Sequence, residues 1–524
     1  MDREQMLGRL GDEVWDLIVV GGGATGLGVA VDAQTRGYRT LLLEQRDFAQ
    51  GTSSRSTKLV HGGVRYLKQG NVSLVVEALR ERGLIFRNAP HLVRDLAFVV
   101  PRYRWWEGPF YGVGLKLYDR LAGELKLAPS RLLDPRQTLE QIPNVETHRL
   151  LGGVVYHDAQ FDDARLALAL ARTAADHGAV LLNYLRVEGL LKGKGMVEGV
   201  RGVDEEKGQV HELKGRVVVN ATGVFADQLR HLDEPSSKPL LAPSQGVHLV
   251  LDAAFQPGEA AIMVPHTDDG RVLFVIPWHQ RVLVGTTDTA MPWPELEPKP
   301  LAEEVDFILR NAARYLRRDP GRADILSCFA GQRPLVQGKR AGRASKAVGR
   351  EHLVLVSPAG LVSVIGGKWT TYRRMAQDTV DAAALVGGLP VCACATEELR
   401  LQGWMPREEL GSGWEDPLHP YGAERGRVEE LIAADSVWAQ PLHPRLPYLM
   451  GQVVWAARAE MARTLEDVLA RRTRSLLLDA RASVEAAPAV AQVLASELGR
   501  DEAWEKGQVE EYTRLASGYL PPTC

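Results

Sequence analysis

The chain has 524 residues, 45% of them hydrophobic and 25% charged, with a formal net charge of −3. These values fit an ordinary globular protein of two or three domains and give no global attraction to nucleic acid. No run of about 18 apolar residues occurs, so no transmembrane helix is predicted, and four cysteines in so long a chain do not make a disulfide framework.

The first residues, MDREQMLGRLGDEVWD, mix charges and lack the apolar segment of a signal peptide. A cytoplasmic, reducing compartment is expected, with Cys392 and Cys394 as two reduced thiols in a loop. Residues 16–20 form a β-branched apolar run that ends in Gly21-Gly22-Gly23-Ala24-Thr25-Gly26. A helix is predicted over 27–36 and a second buried strand over 39–43, with Glu44 at its end. This is a βαβ unit with G-x-G-x-x-G at Gly21, Gly23 and Gly26, a dinucleotide-binding pattern. The helix N-terminus offers free N–H groups to a pyrophosphate. Glu44 stands near the spacing expected for the acid that binds ribose hydroxyls, which disfavours a 2′-phosphate and hence NADP. The position of the unit, close to the start of the chain, points to FAD.

Residues 51–67, GTSSRSTKLVHGGVRYL, crowd Thr52, Ser53, Ser54, Ser56 and Thr57 beside Arg55, Lys58, His61 and Arg65. Such a run reads either as a polar loop capping the helix after Asn71 or as a cradle for a pyrophosphate, a flavin and an anionic substrate. Residues 72–87 have helical periodicity. Residues 102–121 interleave Tyr103, Trp105, Trp106, Phe110 and Tyr111 with Arg102, Arg104, Lys116 and Arg120. That mixture suits a membrane headgroup region or an aromatic satellite core.

Asp162 and Asp163 open a long Ala/Leu helix, where carboxylates complement the helix dipole. One strand is expected over 179–187, a meander over 188–215, and a buried strand over 216–223 ending in Asn-Ala-Thr-Gly. Residues 240–330 read as strands with little helix between them, and His248 lies on the first of them. Arg333 sits in Gly-Gln-Arg-Pro between apolar flanks. Residues 352–380 give two strands, the turn Gly366-Gly367, then Lys368 and a helix from about Thr370-Thr371. Past Pro390 the chain becomes helical and charged, and Arg471, Arg472 and Arg474 read as a solvated or interdomain face. No HExxH and no GxxxxGK[ST] occurs, and the histidines are scattered, so no metal site is expected.

The run TSSRSTKLVHGGVRYL, with NATG at 220–223, GQRP at 331–334, GGKWTTYR at 366–373 and EMARTLEDVLARRTR at 460–474, resembles the FAD-dependent, quinone-linked (aerobic-type) glycerol-3-phosphate dehydrogenases. The resemblance covers nearly the whole chain. It implies an α/β fold, with a Rossmann-type FAD-binding domain, an inserted antiparallel-sheet substrate domain and a C-terminal helical domain. The corresponding segments are 1–90, 151–235 and 331–390 for FAD, 91–150 for a substrate or cap segment, 236–330 for the antiparallel domain and 391–524 for the helices.

The implied reaction oxidises sn-glycerol 3-phosphate to dihydroxyacetone phosphate by hydride transfer from C2 to FAD, with electrons passed to a membrane quinone at the cytoplasmic membrane. Implied FAD contacts are Gly21, Gly22, Gly23, Gly26 and Glu44 from the first unit. Thr52, Ser53, Ser54, Lys58, His61 and Gly62 join them from the hydroxyl-rich loop. Val187, Ala221, Thr222, Gly223, Gly367, Lys368 and Thr370 complete the set. Arg65, Arg333 and Lys368 are candidates for the phosphate, with Tyr66 donating a hydrogen bond. His248 is the candidate base at the C2 hydroxyl, while Arg333 alternatively polarises the alkoxide. Three other readings stand beside this one: a glycerol-3-phosphate oxidase using oxygen, a D-amino-acid-oxidase-like enzyme on an amine, and a non-catalytic FAD-binding protein that docks on membranes. The quinone site and the oligomeric state, a homo-oligomer included, are open.

Overall fold

The computed structural model describes residues 1–11, 14–63, 71–123, 127–337, 352–411 and 413–522. The strand Trp15–Val20 lies at the centre of the first sheet. Thr40–Leu43 and Val210–Asn220 pair with it in parallel on either side, and Val180–Leu182 and Val362–Gly366 extend the parallel order. His352–Val356 closes one edge antiparallel. Every residue of Thr40–Leu43 is buried, as expected of a parallel strand covered on both faces. Helices Ala24–Thr35 and Tyr372–Val386 pack closely on this sheet. A Cβ on Gly28 would stand 2.9 Å from Tyr372 Cδ2, so a side chain there would push the two helices apart.

The strand expected over 179–187 is two strands. Val180–Leu182 stays in the parallel sheet, and Leu185–Gly193 starts an antiparallel meander with Met196–Asp204 and Val210–Asn220. The break falls at Asn183 and Tyr184. Tyr184 has φ +55°, and both side chains are spent on remote partners: Asn183 Nδ2 donates to the Met461 carbonyl and Tyr184 Oη to Asp467.

The second sheet has ten strands among the described residues. Leu241–Asp252 pairs antiparallel with Ile325–Val336 along most of its length and with Arg281–Gly285 on its other side. Gly152–Phe161, in a segment expected to serve FAD, instead pairs with Val93–Arg102 in this sheet. The helix Ala302–Ala313 covers one face, burying Val305 and Ile308 against the strands. The region therefore holds more helix than its strand-rich sequence suggested.

The C-terminal residues form helices including Arg425–Ala433, Met450–Glu460, Ala480–Leu498 and Glu502–Ser517. Arg471, Arg472 and Arg474 are buried, and of the two faces expected, solvated or interdomain, they form the interdomain one. Arg471 and Arg472 both grip Asp47, and Arg474 donates to Asp163 at 2.8 Å and to the Ser54 carbonyl at 2.9 Å. Buried guanidinium groups persist only where paired; Asp47 and Asp163 come from the FAD-binding half, and Glu466 and Asp467 pair Arg471 from its own segment. Among the described residues no helix is long and apolar enough to cross a membrane.

Candidate active site

A cavity of about 630 Å³ runs from the C-terminal edge of the parallel sheet to the second sheet. At one end the strand Trp15–Val20 stops at Gly21, whose φ of +110° L side chains rarely adopt. A Cβ there would also lie 2.6 Å from the Ala221 carbonyl oxygen. Gly26 is closed in even more tightly, since a Cβ on it would stand only 1.9 Å from the Gly21 oxygen. The helix Ala24–Thr35 begins here with Gly23 at its N-cap, a residue with no side chain to cap the first turn. Ser53 Oγ accepts from Ala24 N at 2.9 Å, and Trp369 Nε1 donates to the Ser53 carbonyl at 2.8 Å. Glu44 accepts from Gly22 N at 2.6 Å and from Arg46 N at 2.9 Å. Burial pushes its carboxyl above the usual range.

At the other end stand His248, Arg333 and Lys368. Arg333 Nη2 donates to Thr286 Oγ1 at 3.3 Å and to the Thr287 carbonyl at 3.2 Å, and Nη1 lies 3.5 Å from Asp288. Gly246 leaves the space the guanidinium occupies. His248 is buried, stacked on Phe329 at 5.0 Å, and its Nε2 is 2.9 Å from Thr57 Oγ1. Burial, then the cations Lys58 and Arg333, hold its pKa well below the usual value, so the imidazole is neutral. Of the expected FAD contacts, Gly21, Gly23, Glu44, Thr52, Ser53, His61, Val187, Ala221, Thr222, Gly223, Gly367, Lys368 and Thr370 line this one cavity.

Comparison with known proteins bears on what such a cavity serves. The FAD-dependent oxidoreductase family matches residues 16–373, and the C-terminal domain of alpha-glycerophosphate oxidase matches 364–505. The mitochondrial glycerol-3-phosphate dehydrogenase of Mus musculus is 39% identical over 532 residues, covering 96% of this chain and 73% of the relative. The Arabidopsis thaliana enzyme SDP6 is 38% identical, covering 96% and 86%. The solved glycerol-3-phosphate dehydrogenase of Bacillus halodurans, complexed with FAD, superposes with a TM-score of 0.80 at 31% identity, covering 100% of this chain and 98% of that one.

The chain belongs to the FAD-dependent glycerol-3-phosphate dehydrogenase family. Its cofactor is FAD. An L-alpha-glycerophosphate oxidase of Mycoplasma pneumoniae, 18% identical with a TM-score of 0.56 over 71% of this chain and 95% of that one, shares the fold. The cradle fits FAD on its own terms: closely packed glycines where a pyrophosphate would approach, a helix N-terminus opened by a glycine, and a carboxylate at the second strand's end.

Several of the expected contacts do not line this cavity. Lys58 does not face the cavity; its Nζ donates to both Asp163 oxygens, at 2.9 and 2.7 Å, and to the Ser54 carbonyl at 2.7 Å. Burial and then the neighbouring Arg474 lower its pKa to about 7. Ser54 is buried behind the wall, its carbonyl serving that same cluster. Gly62 packs against helix Val72–Asn88, where a Cβ would meet Leu79 at 2.5 Å. Gly22 and Gly26 support the turn without lining the cavity. Arg65 and Tyr66 lie outside the described residues.

Sequence reading passed over Trp369 and Asp288. The indole sits in the quoted GGKWTTYR but looks like core. Asp288 reaches Arg333 because Leu241–Asp252 pairs with both Thr289–Ala290 and Ile325–Val336, bringing Arg333 opposite Ser244 beside Asp288. No cluster that could hold a metal ion occurs among the described residues.

Proposed function

We propose that the protein oxidises sn-glycerol 3-phosphate to dihydroxyacetone phosphate and passes the electrons to a membrane quinone. The observation that carries this reading is a single cavity with a dinucleotide cradle at one end and His248, Arg333 and Lys368 at the other. When bound, FAD takes the hydrogen and its electron pair from the carbon that bears the hydroxyl. Arg333, oriented by Thr286 and Asp288, suits the forked contact a phosphate oxygen pair offers, and Lys368 adds a point charge. Arg65 and Tyr66 complete the phosphate site in this reading. His248, neutral before substrate arrives, serves as base for the hydroxyl proton.

The membrane side of the proposal rests on helix Glu107–Leu121. Trp106, Phe110, Val113 and Leu117 are exposed at helical spacing, and Trp105 beside them is 79% exposed. Arg104, Lys116 and Arg120 are exposed on the same segment. An exposed apolar stripe flanked by cations is the pattern of a helix lying in a bilayer interface, where a quinone is within reach.

The acceptor is tested by reducing the flavin with substrate under anaerobic conditions, then mixing with either a short-chain soluble quinone or air-saturated buffer. Rapid reoxidation by quinone and slow reoxidation by oxygen is the expected result. The reverse order assigns the enzyme as an oxidase.

A further inference from the structure

The imidazole expected to act as base has no free nitrogen edge facing the cavity. His248 Nδ1 is buried and has no hydrogen-bond partner among the described residues. A ring nitrogen makes one in-plane hydrogen bond, and that of Nε2 is taken by Thr57 Oγ1 at 2.9 Å. The ring cannot easily turn away. Phe329 stacks on it with an interplanar angle of 19°. Gly285 lies against it so closely that a Cβ there would sit 2.3 Å from His248 Cδ2. Thr57 itself is only half-buried and lines the cavity.

Thr57 is held with equal care. Its neighbour Ser56 donates through both N and Oγ to Asp163, at 3.1 and 2.7 Å. Its other neighbour, Lys58, reaches the same carboxylate through Nζ. A surface threonine needs no such frame. Fixing both chain neighbours fixes the hydroxyl between the cavity and the histidine, the preorganisation a proton-transfer group requires.

Resting on the functional reading above, we infer that Thr57 is the group that meets the substrate hydroxyl and relays its proton to His248. The substrate O–H proton passes to Thr57 Oγ1 as the proton already on Oγ1 passes to His248 Nε2. The C2–H bond breaks, its hydrogen leaves with the electron pair to the flavin, and the C2–O bond becomes a carbonyl. The substrate loses two electrons and the flavin gains them. His248 ends as imidazolium, bearing protons on both nitrogens. The relay therefore requires the resting imidazole to carry its proton on Nδ1 and to accept from Thr57 at Nε2. The resulting cation lies near Lys58 and Arg333, and the negative phosphate beside Arg333 compensates for it.

The test combines two variants with one measurement on the unaltered holoenzyme. Thr57→Val keeps the branched shape and removes the hydroxyl; Thr57→Ser keeps the hydroxyl. The expected result is that Thr57→Val retains FAD, while anaerobic flavin reduction at saturating glycerol 3-phosphate slows by about 100-fold or more, the scale of lost acid–base catalysis. Thr57→Ser restores most of that rate. Wild-type reduction with Thr57→Val, or Thr57→Ser as slow as Thr57→Val, overturns the relay. Nitrogen-15 NMR of the histidines in the holoenzyme, with His248→Gln to assign the signal, is expected to report the Nδ1–H tautomer. An Nε2–H tautomer overturns the relay even if the valine variant fails to fold. Unaltered enzyme that glycerol 3-phosphate does not reduce overturns the functional reading and the relay together, whereas a negative variant result with reducible wild type removes the relay alone.

Discussion

Gly246 stands on the same strand as His248, two residues before it, and has no side chain where Arg333 needs room. A Cβ at this position would sit 2.3 Å from Arg333 Nη2 and 2.7 Å from Thr286 Oγ1. Gly246→Ala is therefore expected to move the guanidinium off its seat while leaving the dinucleotide cradle untouched. The outcome to look for is a rise in KM for glycerol 3-phosphate of about tenfold or more, roughly one lost charge-assisted contact, with full FAD content. Unchanged KM would remove Arg333 from the substrate site. At this scale the motifs located His248, Arg333 and Lys368 without seeing what holds them. Lys58 shows why. It lies in the same hydroxyl-rich run as Ser53 and His61, but its partner Asp163 is 105 residues away. Which cations of a loop face the cavity and which turn back into the protein depends on carboxylates that local sequence does not reveal.

Elements were legible where one periodicity governed the whole segment. The strands Trp15–Val20 and Thr40–Leu43 are apolar from Leu17 and from Leu41 to their ends because both faces are covered. The helix Val72–Asn88 shows its buried and exposed faces at 3.6-residue spacing. The break at Asn183 and Tyr184 escaped because Tyr184 suits a strand and the partners that draw the two residues out of it, Met461 and Asp467, lie far along the chain.

The helix Glu107–Leu121 allowed two readings, a membrane surface or a satellite core. The helix has two faces: Leu115 and Tyr118 are buried, and Phe110, Val113 and Leu117 are exposed. Replacing Trp106 and Phe110 together by serine should weaken co-sedimentation with anionic lipid vesicles several-fold, through loss of two aromatic anchors. Flavin reduction by substrate should be unchanged. Equal sedimentation of the variant and the parent would place the docking surface elsewhere.

Across the whole molecule the C-terminal helices are bound to the FAD-binding half through buried charge. Asp47 receives Arg471 and Arg472, and Glu460 receives Arg165 through two hydrogen bonds of 2.9 and 2.7 Å. Burial alone would raise both carboxyls, but Arg472 and Arg471 at Asp47, and Arg165 at Glu460, hold them below their usual range. ARRTR alone left a solvated and an interdomain face open, because three arginines in four positions are usually exposed unless paired and their partners Asp47 and Asp163 are remote in sequence. Asp47→Ala leaves two buried guanidinium groups short of a partner and should cost about 3–5 kcal/mol, the range for breaking a buried pair, read as a lowered unfolding midpoint.

The same groups set the acid limb of stability. A carboxyl whose folded pKa lies below its unfolded value of about 4 adds stability above that value and loses it as pH falls through the folded one. Thermal stability is thus expected to drop below about pH 4. Asp47→Asn should be less stable at neutral pH and show a shallower loss toward acid. An unchanged slope would mean that other carboxyls govern the transition.

One cavity joins the flavin cradle to the wall that carries His248, Arg333 and Lys368, and anaerobic spectroscopy tests its assignment directly. The purified holoenzyme is mixed with sn-glycerol 3-phosphate in the absence of oxygen, and the oxidised flavin absorbance and the product are followed together. The predicted result is complete bleaching, with one dihydroxyacetone phosphate formed per flavin and no bleaching by glycerol alone. A flavin that stays oxidised with glycerol 3-phosphate, or bleaches instead with an amino acid, would contradict the assignment of the cavity.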